Sequence, residues 1–219
     1  MKNNKLYHFG DSFAVVKKSK NFGEYIAKHF NMHYINRAET GISNEQILHK
    51  ILDCYDNINS GDIVLINFSF LARGLMVNEM GDLKSTNTLL DDNQNIITVE
   101  GLNLLRTNSA AILDYFIKYN YDYNIKLFTS ISKVLNNLQK KGVRVYHVFI
   151  KKDNLYYGNK VFNKTQYDFN LPNELDFKPN YYQWLKYKEW KNEEDIHYTY
   201  NIQKELSVEY IKRINNELY

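Results

Sequence analysis

A serine near the amino terminus stands where a nucleophile would be useful. Residues 5–16 read KLYHFGDSFAVV, so alternating apolar residues run into Gly-Asp-Ser and Ser12 follows the end of a predicted strand. A serine hydroxyl is a weak nucleophile unless a histidine lies within hydrogen-bond reach and a carboxylate or carbonyl orients the imidazole. The segment EEDIH at 193–197 supplies both partners. The alternative for Ser12 is an ordinary cap or turn residue after a strand.

The carboxylate that would orient His197 has two candidates. Glu194 stands three residues before the histidine and Asp195 stands two before it. Asp195 has the shorter and stiffer side chain, whereas the loop conformation decides which of the two reaches the ring nitrogen. The alternative for both is an acidic cluster that is simply solvated.

Strand-like segments predict the framework that would hold these residues. Apolar runs typical of strands occur at 5–9, 32–36, 62–70 and 143–150. Because helical patterns lie between most of them, we expect an α/β fold: a three-layer, flavodoxin-like, doubly wound parallel sheet in a single domain over 1–219. The first strand is central in such a sheet, and ligands bind beyond its carboxyl end, where Ser12 would lie.

Helices are predicted where apolar residues recur at three- and four-residue spacing. These patterns cover 21–30, 43–55 and 107–141, with Ile47, Leu48, Ile51 and Leu52 inward on the second helix. Ser43 and Gln46 have the spacing of a capping box that would begin that helix. A last amphipathic helix follows His197, with an inward face of Ile202, Leu206, Tyr210, Ile211 and Ile214.

Two segments fit this alternation poorly. Residues 74–105 and 151–192 contain polar turns or many aromatic and Asn residues, and we expect them to be insertions near the active-site end of the sheet. The second contains the aromatic run NYYQWLKYKEW at 180–190. Flat rings stack on sugar faces, so substrate contacts are expected from Tyr182, Trp184 and Trp190. The alternative is packing of this segment against the core.

Composition excludes several functional classes. Lys and Arg number 28 against 25 Asp and Glu, without a long single-sign run, so we expect no nucleic-acid partner. No segment approaches the roughly 18 apolar residues of a membrane span, and the first residues lack the apolar core of a signal peptide. We therefore expect a cytoplasmic protein with no membrane span, while carriage in a virus particle and non-classical export stay open.

Metal and redox chemistry have little support in the sequence. Cys54 is the single cysteine and lies in an apolar helical pattern, which excludes an intrachain disulfide and predicts a buried structural thiol. The other histidines lack metal-ligand spacing and are expected to be ordinary buried or surface residues: His8, His29, His33, His49 and His147. We therefore predict no metal and no cofactor.

The order of these blocks resembles that of the SGNH (GDSL-like) hydrolase family over nearly the whole chain. That family carries its nucleophile in a Gly-Asp-Ser block near the amino terminus, similar to Gly10-Asp11-Ser12. A glycine follows in a second block similar to NRAETGISNEQI, at Gly41, and the histidine comes from an Asp-x-x-His block similar to EDIH at 194–197. The resemblance implies Ser12 as nucleophile, His197 as base, and the backbone amides of Ser12 and Gly41 as oxyanion donors.

The third block departs from the family pattern. It normally reads Gly-x-Asn-Asp after a strand, whereas INFSFLAR places Ser69 at the glycine and Leu71 at the asparagine, which cannot donate a hydrogen bond. Since an oxyanion hole needs two or three donors, another residue would have to supply the third. The candidates are Ser69, Asn44 and Arg73. Asp11 and Arg73 are also expected to lie on the substrate side.

The resemblance implies a serine esterase acting on short-chain esters, O-acetyl above all, on a small molecule or a glycan. Two alternatives stay open: an acyltransferase that uses the same acyl-enzyme, and a catalytically degenerate scaffold with a binding or structural role. Leu71 favours the degenerate scaffold, whereas the presence of both Ser12 and His197 argues against it. A dinucleotide-binding protein is disfavoured, because no G-x-G-x-x-G follows the first strand.

Overall fold

The fold is described from a computed structural model. It describes residues 4–11, 14–15, 21–69, 73–77, 83–90, 96–98, 110–149, 156–157, 160–161, 171–175, 177 and 202–216. The strands are β1 Lys5–Gly10, β2 His33–Asn36, β3 Ile63–Phe68, β4 Arg73–Val77, β5 Leu83–Leu90, β6 Ile96–Thr98, β7 Arg144–Phe149, β8 Tyr156–Tyr157 and β9 Lys160–Val161. The helices are α1 Phe22–His29, α2 Asn44–Cys54, α3 Ala110–Lys140 and α4 Gln203–Asn216.

The central sheet has the strand order β2-β1-β3-β7, and every neighbouring pair is parallel. All six residues of β3 are buried, as expected for a strand covered by helices on both faces. The four strands predicted from the apolar runs are therefore confirmed, and β1 lies inside the sheet between β2 and β3.

Two apolar layers cover the sheet, which confirms the three-layer α/β fold. One layer packs α2 and α3 on β-strand residues that include Phe9, Ile66 and Val145. The other packs α1 and α4 on strand residues that include Leu6 and Leu65. Removal of this apolar surface from water is the main source of stability in such a domain.

The predicted inward face of α2 is wrong at one position. Ile47, Leu48 and Ile51 are buried, and so is Cys54, which confirms the buried thiol. Leu52 is 45% exposed. A helix advances about 100° per residue, so Leu52 lies beyond the edge of the stripe that Ile47, Ile51 and Cys54 define.

Capping boxes begin both helices that follow the first two strands. The predicted one on α2 is confirmed, since Ser43 Oγ accepts from the Gln46 amide and Gln46 Oε1 accepts from the Ser43 amide. A second box begins α1, where Asn21 accepts from Gly23 N–H and pairs with Glu24. These caps set where each helix leaves the carboxyl edge of the sheet.

The described parts of the two predicted insertions contain further strand pairing. The first contains a three-stranded antiparallel sheet in the order β4-β5-β6. Within the second, Leu175 and Phe177 are buried in the core, and Leu175 N–H donates to His147 O at 2.8 Å. Residues 173–175 thus lie along β7 with a parallel bridge between Glu174 and His147.

None of the helices in the described part of the chain is long and apolar enough to cross a membrane.

Candidate functional site

Gly10, the first residue of the Gly-Asp-Ser block, is the last residue of β1, and close packing requires a glycine there. A Cβ built on Gly10 would lie 2.9 Å from the Cβ atoms of both Ala14 and Asn67, which real Cβ atoms essentially never show. The chain then turns, with Ala14 N–H donating to Asp11 O at 2.9 Å. Ser12 itself lies outside the described residues.

Asp11 connects the end of β1 to the end of β3. Its side chain is completely buried, and Ser69 Oγ donates to Asp11 Oδ2 at 3.0 Å. Ser69 directly follows β3 and is 2% exposed. Because a buried carboxylate is costly unless it is hydrogen-bonded, this contact holds the two strand ends together.

Asn44 ties the beginning of α2 to the same strand end. Its Oδ1 accepts from Ser69 N–H at 2.8 Å, and its Nδ2 donates to Ser69 O at 3.1 Å. The side-chain amide therefore pairs with the backbone of Ser69 as a neighbouring strand would. The amino end of α2, where the helix dipole is positive, faces this edge of the sheet.

Gly41 lies on the exposed loop that leads into α2. Its φ is +81°, in the left-handed region, whereas a Cβ at this position would meet nothing within 4 Å. Glycine is therefore needed here for the backbone conformation and not for space. Glu39 N–H donates to Gly10 O at 3.0 Å, which places this loop alongside the end of β1.

The structure thus brings three predicted site residues, Asp11, Asn44 and Ser69, into one hydrogen-bonded cluster, which we call the edge cluster. The hydroxyl hydrogen of Ser69 is donated to Asp11, and one of the two Asn44 Nδ2 hydrogens is donated to Ser69. Arg73 begins β4, close to Ser69 in the chain. The other predicted site residues lie outside the described residues: Glu194, Asp195, His197, Tyr182, Trp184 and Trp190, as does Leu71.

Sequence reasoning missed a polar residue inside β3. Asn67 is completely buried, its Oδ1 lies 2.9 Å from His8 Nε2, and its Nδ2 donates to the Tyr210 hydroxyl at 2.8 Å. The signal was available, because Asn67 interrupts the otherwise apolar run IVLINF. A polar residue in a fully buried strand must find partners there.

His8 is confirmed as a buried, hydrogen-bonded histidine. Its Nδ1 lies 3.0 Å from the Tyr34 hydroxyl and its Nε2 contacts Asn67. Burial lowers the pKa of His8 to about 4, so the ring is neutral near pH 7. His147 is buried as well, with Nδ1 2.9 Å from Pro172 O. Both rings serve the core of the fold.

No group of three or more His, Cys, Asp or Glu side chains that could hold a metal ion is found among the residues that the structure describes.

Comparison with known proteins locates the fold. No family model and no curated protein sequence matches the chain. Among solved structures, the esterase EstA from Pseudoalteromonas sp. is similar at 13% identity with a TM-score of 0.52, covering 99% of each chain. A lipase/acylhydrolase from Enterococcus faecalis matches at 12% identity with a TM-score of 0.50, over 98% of this chain and 96% of that one.

A putative GDSL-like lipase from Parabacteroides merdae is similar in structure as well. It is 10% identical with a TM-score of 0.51, over 98% of this chain and 96% of the other. At these identities the likeness concerns the fold. The chain has the SGNH-type hydrolase fold over nearly its whole length.

Proposed function

We propose, from the premise of an SGNH-type fold, that this protein is a serine esterase whose nucleophile is Ser12. The observation that carries the proposal is the edge cluster, in which Ser69 donates to Asp11 and Asn44 pairs with the Ser69 backbone. These bonds hold the ends of β1 and β3 and the beginning of α2 together next to the residue that follows Asp11. Preorganisation of this kind is what a serine nucleophile and an oxyanion hole require.

The reaction follows acyl-enzyme chemistry. Ser12 Oγ attacks the ester carbonyl while His197 accepts its proton, and the protonated His197 then gives that proton to the leaving alkoxide. Water attacks the resulting acyl-serine with His197 again as base, which releases the carboxylic acid and restores Ser12. Asp195 or Glu194 orients the imidazole.

Charge on the carbonyl oxygen is stabilised by the backbone amides of Ser12 and Gly41. Asn44 is the better candidate for a third donor than Ser69, because the single hydroxyl hydrogen of Ser69 already goes to Asp11. The second Nδ2 hydrogen of Asn44 makes no hydrogen bond within the described part of the chain, and it can replace the donor that Leu71 lacks. Asp11 is a hydrogen-bond acceptor whose carboxylate holds the Ser69 hydroxyl, so it acts as a positioning residue and not as an oxyanion donor.

The substrate class is a short acyl ester, acetyl above all, on a carbohydrate alcohol. Support comes from the aromatic run at 180–190, whose Tyr182, Trp184 and Trp190 precede the His197 segment in the chain and suit a sugar face. Arg73, at the beginning of β4, lies close enough in sequence to Ser69 to contact a polar substrate group.

Hydrolysis of a short aryl acetate by the purified protein tests this function. Ser12→Ala and His197→Ala, each checked to be folded, should each lose at least about a thousandfold in kcat. Ser130→Ala is the matched control, because Ser130 is an exposed serine of α3 whose hydroxyl bonds to its own helix backbone at Lys126 O.

The outcomes separate the three functions. Loss in both variants with full activity in the control supports the esterase. Faster acetylation of an added sugar than release of acetate would make the protein an acyltransferase. Activity that is absent, or unchanged in Ser12→Ala, would overturn the proposal in favour of a degenerate scaffold.

A further inference from the structure

A chain of buried hydrogen bonds crosses the α1/α4 side of the sheet. It runs from Tyr34 on β2 to His8 on β1, then to Asn67 on β3 and to Tyr210 on α4, with distances of 3.0, 2.9 and 2.8 Å. His8, Asn67 and Tyr210 have no exposed surface. Four different elements are thus joined inside an otherwise apolar layer.

The donors and acceptors along this chain have one consistent direction. Asn67 Nδ2 donates to Tyr210, so Asn67 Oδ1 faces His8 as an acceptor and takes the Nε2 hydrogen. The Nδ1 of a neutral His8 then accepts from the Tyr34 hydroxyl. Removing one member leaves a buried neighbour without its partner.

A second buried polar contact holds the beginning of α4. Gln203, its first residue, is 3% exposed, and its Oε1 accepts from the backbone N–H of Phe22, the first residue of α1, at 3.0 Å. Gln203 and Tyr210 are seven residues apart, which is about 10 Å along a helix. Helix α4 is therefore attached by hydrogen bonds at two points along its axis.

Apolar packing alone would not set the axial position of α4. The contacts of Leu206 and Ile214 are non-directional, so a small slide along the sheet would keep most of that surface buried. Hydrogen bonds require a donor and an acceptor at about 3 Å with good alignment, so a slide would break them. The polar contacts of Asn67 and Gln203 thus define the register.

The axial position of α4 relative to β1 matters for the proposed site, because β1 leads to the proposed nucleophile and α4 follows the proposed base. Ser12 follows His8 by four residues, and His197 precedes Gln203 by six. We infer that Asn67, Tyr210 and Gln203 are positioning residues, which fix α4 along β1 and thereby hold the His197 segment in reach of Ser12. This inference rests on the proposed esterase function.

The test uses Tyr210→Phe, which keeps the ring packed against Phe22 and Phe177 and removes only the hydroxyl. We expect kcat for an aryl acetate to fall about tenfold to a hundredfold with KM unchanged, because the reacting groups lose alignment. In a His197→Ala background the same change should cause no further loss, because it acts through His197.

Ile214→Val is the matched control. Ile214 packs in the same layer from the same helix and is apolar, so the variant should lower the melting temperature without changing kcat. A loss of kcat in this control equal to that in Tyr210→Phe would overturn the inference. So would a loss in Tyr210→Phe that persists in full on top of His197→Ala.

Hydrogen exchange keeps the inference separate from the esterase function. In Tyr210→Phe, but not in Ile214→Val, the backbone amides of residues 194–203 should exchange faster. If the parent protein has no esterase activity, the proposed function fails, and the exchange result alone decides the register: equal exchange in the two variants would contradict it.

Discussion

The Ser69 hydroxyl donates a hydrogen bond of 3.0 Å to the completely buried carboxylate of Asp11. These two residues are 58 positions apart in the chain, and they close the ends of adjacent parallel strands. The bond joins the residue before Ser12 to the residue that directly follows β3. A glycine at position 69 could not make this contact, because it has no side-chain hydroxyl.

Ser69→Ala should lower both stability and turnover. Asp11 loses a hydrogen bond while it stays buried, which costs about 1–3 kcal/mol in the free energy of unfolding, and kcat should fall because Ser12 follows Asp11. Urea unfolding and aryl acetate kinetics measure the two effects. Ser207→Ala is the control, because that buried serine bonds to Lys204 O within its own helix α4; an equal loss of kcat there would contradict the role of Ser69.

Asn44→Asp separates donor from acceptor. The variant keeps an oxygen for the Ser69 amide but loses both Nδ2 hydrogens, the one donated to Ser69 O and the one that we propose for the oxyanion. We expect kcat/KM to fall about a hundredfold, the usual effect of removing one oxyanion donor. Asn137→Asp, at an exposed position of α3, makes the same chemical change and should be silent. Unchanged kcat/KM in Asn44→Asp would exclude Asn44 as a donor.

Gly41→Ala should cost about 1–2 kcal/mol of stability, because alanine disfavours the left-handed conformation, and esterase activity should fall as the loop amide moves. Gly41→Asn should be milder, since asparagine tolerates that conformation and the position is open. Gly61→Ala is the control. Gly61 also has a left-handed φ, of +86°, but it precedes β3 and so lies at the amino ends of the parallel strands, away from the edge cluster. Equal activity losses at both glycines would show that strain alone is responsible.

His8 should make stability depend on pH below neutrality. Its pKa is about 4 in the folded protein against 6.5 in a model peptide. Between pH 6.5 and pH 4 the unfolded chain therefore binds a proton at His8 that the folded protein does not bind. The free energy of unfolding should therefore fall by about 3 kcal/mol as pH drops from 7 to 4. Urea unfolding of parent and His8→Gln across this range measures it.

The His8→Gln variant keeps a hydrogen-bond donor for Asn67 but has no titratable side chain at position 8. The part of the pH dependence of the unfolding free energy that comes from His8 should therefore be absent in this variant. Ile26→Val, an apolar change in the same layer, should lower stability by a constant amount at every pH. A parent and a glutamine variant with parallel pH curves would refute the assignment.

Gly23→Ala should destabilise the protein although alanine is the better helix former. A Cβ on Gly23 would lie 2.6 Å from the Tyr34 ring and 2.7 Å from His8 Nδ1, so it would disturb the hydrogen bond between them. We expect a lower urea midpoint, and a higher midpoint would show that α1 can shift to make room.

Patterns that depend on neighbours in the chain were readable from the sequence. The apolar runs predicted all four parallel strands, because strands buried on both faces need apolar residues on both. The Ser43–Gln46 capping box could also be predicted, because its two hydrogen bonds join residues only three positions apart in the chain. Leu52 shows what such patterns cannot predict. The helical period was evident in the sequence, but the width of the buried face of α2 depends on the elements that pack against it.

Contacts between distant residues were decided by the tertiary structure alone. The sequence shows that an asparagine interrupts an apolar strand. It does not show that Asn67 donates a hydrogen bond to Tyr210, 143 residues later, or that Gln203 accepts one from the amide of Phe22. Likewise the sequence offered Ser69 and Asn44 as separate candidates, and only the folded structure shows that they bond to each other and that the Ser69 hydroxyl also donates to Asp11. Hydrogen bonds are short and directional, so only the folded arrangement determines which polar groups pair, whereas hydrophobic patterning already indicates which face of a strand or helix is buried.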